Sequence, residues 1–121
     1  NVHNLLGHPR VGASWEGFAL SQFTQILRPA QLFFWSTYSG AEIDLFFLHR
    51  GRRYGVEFRF SEAPKITKSM RTAISDLDLE HLWVIYPGLH NYMVDKWVSV
   101  WPLQQIPSLA TQLKESYKPE S

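Results

Sequence analysis

Two carboxylates and a guanidinium stand at strand-like spacing in the middle of this 121-residue sequence. Asp44 lies within Glu42 to Leu48, and Glu57 and Arg59 lie two apart within Arg53 to Phe60. Strand side chains alternate between faces. Tyr54, Val56, Phe58 and Phe60 therefore share one apolar face, and Arg53, Gly55, Glu57 and Arg59 share the other. In the preceding segment Glu42, Asp44, Phe46 and Leu48 form one face, with Ala41, Ile43, Leu45 and Phe47 opposite. Pairing the apolar faces across a hairpin that turns at Arg50-Gly51 sets Asp44 beside Glu57 and Arg59. Converging carboxylates repel each other, and a hard divalent cation relieves this. Mg²⁺ is held by one or two carboxylates plus waters and substrate phosphate. So placed, it activates water and stabilises charge developing on a phosphate. The plainer alternative for these three residues is a structural ion-pair cluster on a sheet face.

Other polar residues stand around this group. Glu16 lines up with Leu20, Phe23 and Leu27 at helical spacing, a carboxylate inside an apolar stripe. Burial without a partner would cost several kcal/mol, so an Arg, a cation or a backbone donor is expected beside it. Lys65, Lys68 and Arg71 form a basic stripe suited to phosphate contact, or simply a solvated helix face. Arg50, Arg52 and Arg53 at the hairpin read as a backbone clamp or a solubilising turn. The five histidines lack metal-ligand spacing. Trp35, Trp83, Trp97 and Trp101 read as core or sheet-packing residues.

The elements that must position these groups follow from periodicity. Val11 to Leu27 is helical in pattern and ends before Pro29. Leu32 to Tyr38, Glu42 to Leu48 and Arg53 to Phe60 read as strands. Ile66 to Leu77 is helical, with Ile66, Met70, Ala73, Ile74 and Leu77 on one stripe. Leu82 to Tyr86 is a short buried strand, and Tyr92 to Val94 with Trp97 to Trp101 read as a further hairpin. Local hairpins plus a helix crossover imply an α/β fold with a mixed sheet flanked by helices. Pro107 onward is polar and is expected to fray, which divides the chain into a domain over residues 1–106 and a polar C-terminal tail over 107–121.

Composition narrows the function. Hydrophobic residues make up 45% and charged residues 19%, the balance of a folded domain rather than a disordered chain. A net charge of +1 gives no general pull toward nucleic acid, so any such contact needs a local patch. With no cysteine there is no disulfide and no thiolate metal site, which is compatible with a cytoplasmic location. No apolar run is long enough to cross a bilayer, so no membrane partner is expected. No phosphate-cradling loop is present. The sequence opens at Asn1 without a methionine, as a fragment of a longer protein would.

Several motifs together carry a resemblance. Gly12-Ala13-Ser14-Trp15-Glu16-Gly17-Phe18, Gly40-Ala41-Glu42-Ile43-Asp44-Leu45, Gly55-Val56-Glu57-Phe58-Arg59, Ala63-Pro64-Lys65 and Trp83-Val84-Ile85-Tyr86-Pro87-Gly88 follow one another with the order and spacing of a known family. From roughly Leu5 to Ile106 the chain resembles the domain of unknown function 4143. That domain is found at the C-terminus of many bacterial and archaeal AAA-type ATPases and is itself similar to the PD-(D/E)xK nuclease superfamily. The resemblance implies a restriction-endonuclease-like αβββαβ core and an ATPase domain upstream in the same chain. It implies Glu16 as the first-helix acid, Asp44 and Glu57 as metal-binding acids for Mg²⁺, and Arg59 in the place of the usual lysine. Arg stays protonated and binds as a planar fork, whereas Lys is a movable point charge. Arg59 could hold a phosphate, or close an ion pair and fill the metal's place, and Lys65 or Lys68 could supply a migrated lysine. The function so implied is a nuclease-like accessory domain that binds nucleic acid or a partner. The alternatives are an active Mg²⁺-dependent nuclease and a protein-interaction or homo-oligomerisation module.

Overall fold

Capping residues set the ends of the first helices. The computed structural model describes residues 14–116. Helix α1 (Trp15–Leu27) starts at Ser14, whose Oγ accepts the Gly17 N–H at 3.3 Å. It stops at Arg28, which turns left-handed at φ 48° so that its N–H reaches the Thr24 carbonyl at 2.9 Å. Both ends thereby satisfy backbone groups that have no partner within the helix. The periodicity expected from Val11 begins on residues 11–13, which lie outside the described residues. Helix α2 (Lys68–Leu77) uses Thr67 as its cap and ends on Asp78 at φ 52°. Ile66, expected to open this helix, precedes that extended cap.

Three strands separate the helices: β1 (Gln31–Ser36), β2 (Glu42–His49) and β3 (Arg52–Phe58). After α2 come β4 (His81–Tyr86), β5 (Tyr92–Met93), β6 (Val98–Pro102), a 3-10 turn at Leu103–Gln105 and helix α3 (Ile106–Ser116). The β2–β3 hairpin closes through Arg50 and Gly51, at φ 52° and 80°. Two central residues with positive φ give the turn whose twist matches its flanking strands. The sheet has six strands in the order β1-β2-β3-β4-β6-β5. The pairs β1–β2, β2–β3 and β5–β6 are antiparallel, while β3–β4 and β4–β6 are parallel. Parallel neighbours need a crossover, and α2 supplies it between β3 and β4.

The sheet separates two cores. On one face Ala19, Leu20 and Phe23 of α1 and Ile106, Leu109 and Leu113 of α3 pack on Leu45, Phe47, Tyr54, Val56, Phe58, Trp83 and Trp101. On the other, Met70 and Ala73 of α2 pack on Ile43, Leu82, Val84, Val98 and Val100. The result is an α/β fold with a mixed sheet flanked by helices.

Two expectations need correction. The segment from Pro107, read as a fraying tail, is helical as far as Ser116. Leu109 and Leu113 are buried in it, so with Ile106 they form an apolar stripe that a polar average composition hides. Pro107 fits because N–H groups in the first helical turn have no intrahelical acceptor to lose. Residues 117–121 lie outside the described residues. The second correction concerns Ile43, which was expected to share a face with Leu45 and Phe47 and instead packs toward α2. Phe33 pairs with Phe46, but the next pair is Trp35 with Ile43. β2 therefore advances three residues while β1 advances two, a bulge at Asp44-Leu45 that reverses the alternation beyond it.

Candidate functional site

That bulge builds the polar site. The regular β2–β3 ladder reaches Leu45 and Val56. Beyond that pair, carboxylates replace carbonyls as backbone acceptors. The Asp44 N–H donates to Glu57 Oε1 at 2.6 Å, and the Phe58 N–H donates to Asp44 Oδ2 at 2.8 Å. On its other side β3 stays tied to β4, with the Arg59 N–H on the Ile85 carbonyl at 2.9 Å. Arg59 Nη2 lies 2.6 Å from Glu57 Oε2, with Glu57 0% and Arg59 31% exposed. Asp44 is also buried. A carboxylate with no solvent contact is costly unless it is paired and hydrogen-bonded. Glu57 has a backbone N–H hydrogen bond on Oε1 and an ion pair with the guanidinium on Oε2, the latter outside hydrogen-bond geometry. Arg59 Nε is enclosed without a hydrogen-bond partner.

The structure places the remaining candidates apart from this cluster. Glu16 belongs to α1, which covers the face carrying Val56 and Phe58. Alternation along β3 puts Glu57 and Arg59 on the opposite face, the α2 side. Among the described residues Glu16 makes no hydrogen bond or ion pair with Asp44, Glu57 or Arg59. Lys65, in the connector before α2, and Lys68, in the first turn of α2, are both exposed. Arg71 is engaged elsewhere: its Nη1 lies 2.7 Å from Asp95 Oδ2, tying α2 to the β5–β6 turn. The Trp97 N–H on Asp95, assisted by Arg71, holds this carboxyl below its ordinary range against a smaller opposing effect of burial. Among the described residues no three His, Asp or Glu side chains are grouped to hold a metal ion.

Residues 11–106 match the model of a family described as Domain of unknown function (DUF4143). The chain belongs to the DUF4143 family. An uncharacterized protein of Mycobacterium tuberculosis and one of Mycobacterium bovis are each 40% identical to this DUF4143 domain over 114 residues. The alignment covers 87% of this chain and 26% of each relative, so the chain spans about a quarter of their length. No solved structure is detectably similar to it.

The DUF4143 domain also contains a polar pair that sequence spacing did not bring out. His81 Nε2 lies 2.7 Å from Ser99 Oγ. Burial lowers the His81 pKa, opposed by a hydrogen bond with the Lys96 backbone and by the charges of Asp95 and Glu80. The two residues sit on β4 and β6, which are parallel neighbours although β5 intervenes in the chain order. Their period-2 neighbours Trp83 and Trp101 were the available signal, since each pair shares a strand face. The register that brings the pairs together is a tertiary fact.

Proposed function

We propose that this DUF4143 domain is a non-catalytic accessory module of an AAA-type ATPase, restriction-endonuclease-like in layout, that engages nucleic acid under control of the motor. The observation carrying this reading is the Arg59 guanidinium 2.6 Å from Glu57 Oε2. It stands where a metal-dependent nuclease would need a cation. Both Glu57 oxygens and Asp44 Oδ2 are already engaged by Arg59 and backbone N–H groups. That donor set does not fit Mg²⁺, which demands near-octahedral oxygen ligands. The cluster instead acts as a lock that replaces ladder hydrogen bonds where the bulge opens the β2–β3 pair. Lys65 and Lys68, both exposed, supply the phosphate contacts. The ATPase context rests on family resemblance, and the remaining length of the relatives leaves room for a motor.

Stability without metal tests the lock. Asp44→Ala should cost about 1–3 kcal/mol, because the buried Phe58 N–H loses its acceptor. Manganese titrated into the wild type should give no binding heat. If manganese binds, Asp44→Ala abolishes the heat and the same variant melts higher than wild type, the accessory reading fails. A Mg²⁺-dependent phosphodiesterase with Asp44 and Glu57 as ligands would then replace it. The specific support for that second reading is the placement of two buried carboxylates on adjacent strands. For single-stranded nucleic acid, two phosphate contacts imply a log-log salt slope of about −1.4. Lys65→Glu with Lys68→Glu should remove a single-stranded DNA shift. A salt-insensitive or absent shift would favour a protein partner instead.

A further inference from the structure

A row of rings crosses the sheet on the face that α1 and α3 cover. Phe47 of β2, Tyr54 of β3 and Trp83 of β4 lie nearly parallel, with successive centroids 5.5 and 5.2 Å apart and planes 23° and 19° apart. The next strand in the sheet is β6, and the residue paired with Trp83 there is Ser99. The row therefore ends at a small hydroxyl side chain. A cleft of about 380 Å³ opens at that point, with Tyr54, Trp83, Trp101, His81, Ser99 and Gln112 among its lining residues. We infer that this cleft binds a nucleobase, seated over Ser99 as the next ring in the row.

The chemistry of the lining selects that ligand class. Among the described residues no Lys, Arg, Asp or Glu lines the cleft, a lining suited to a neutral group rather than to a phosphate. Tyr54, Trp83 and Trp101 form the buried wall of the cleft, and Tyr92, exposed at its edge, offers stacking surface that any base can use. Convergent polar groups supply the edge recognition that a purely aliphatic ligand would leave unanswered. One His81 ring nitrogen is engaged by the Lys96 backbone and the other by Ser99. In the neutral ring, a hydrogen bond from the other nitrogen to the Lys96 backbone leaves Nε2 to accept the Ser99 hydroxyl. Met93 Sδ, at 3.0 Å from Ser99 Oγ, is the weaker acceptor. The Ser99 oxygen then keeps acceptor capacity toward the cleft. Asn91 Nδ2 is held by Gln105 Oε1 at 2.6 Å, which fixes the Asn91 amide at the rim. The cleft volume falls within the range of small-molecule sites. This site lies across the sheet from Glu57 and Arg59, so it stands or falls separately from the lock.

The experiment is a fluorescence titration of the full-length chain with the four ribonucleosides and, in parallel, with short single-stranded homopolymers. Trp83 and Trp101 report directly because both line the cleft. Saturable quenching by at least one nucleoside is expected below about 1 mM, weakened roughly 2- to 10-fold in Ser99→Ala through loss of one hydrogen bond. Gln112→Trp, at an exposed rim position, should abolish quenching while leaving the thermal melt unchanged. Oligonucleotides that bind more tightly than nucleosides, with the same sensitivity to Gln112→Trp, would identify the base as part of a strand. Equal or tighter nucleoside binding would identify a free nucleoside. The inference is overturned if no nucleoside or oligonucleotide quenches, or if the quenching persists undiminished in a folded Gln112→Trp variant.

Discussion

Single residues decide the character of the polar cluster. Glu57 is fully enclosed, so its charge depends on Arg59 and on the Asp44 N–H. Arg59→Met should destabilise the domain by about 3 kcal/mol, the lower end for breaking a buried pair because Arg59 is partly exposed. Arg59→Lys should restore part of that loss as a point charge without the fork. Thermal melts of the three proteins measure both effects, and equal midpoints would dismiss the ion pair as a stabiliser. His81 sets a pH dependence of the opposite origin. Its folded pKa is depressed below the usual 6.5, chiefly by burial. Between the two values the unfolded chain binds more protons, so stability falls as pH drops through 6.5 and levels off below the folded pKa. His81→Asn should flatten denaturation midpoints across that window, and an unchanged slope would assign the effect to another group. Asp44, Glu57 and Arg59 were candidates from strand alternation alone. Glu16 was a candidate from its place in an apolar stripe, and helix periodicity carries no information about which face of the sheet that helix will cover.

At the scale of elements, the hairpin turn was readable and strand register was not. Gly51 marks the hairpin through local backbone physics, which needs no distant partner, whereas the caps Ser14 and Thr67 fall inside stretches expected to be helical from Val11 and from Ile66. Gly51 sits at φ 80° with open space around its Cβ position. Gly51→Ala should therefore cost about 1–2 kcal/mol from backbone strain alone. Chemical denaturation checks this, and a cost near zero would mean the hairpin relaxes into another turn. The bulge at Asp44-Leu45 was invisible in advance because it arises from how β1 and β2 pair, with three residues set against two. Helix α3 was missed for a different reason. Its Ile106, Leu109 and Leu113 stripe is diluted by Gln, Thr, Ser, Lys and Glu, so average polarity outweighed periodicity.

Across the whole molecule the sheet acts as a partition between two cores, and α3 completes one of them. Tyr54, Trp83 and Trp101 share their core with Leu109 and Leu113. Leu109→Ala should cost about 2–5 kcal/mol, as for other buried leucines. Truncation after Ile106 should abolish a cooperative melt, since it uncovers the ring row. Retention of a sharp transition by the truncated chain would return residues 107–121 to the role of a dispensable tail.

The sequence by itself determined the α/β class, the hairpin turn, two apolar helix stripes and membership of the DUF4143 family. Each of these rests on contacts within a few residues or on a pattern that repeats along one element. The tertiary structure alone decided that Arg59 closes on Glu57, that the Asp44 carboxylate takes up a backbone N–H of β3, and that Ser99 ends a row of rings beside His81. Those outcomes depend on strand register and on which helix covers which face. Pairing energy sums over whole strands, so no short stretch of residues encodes it.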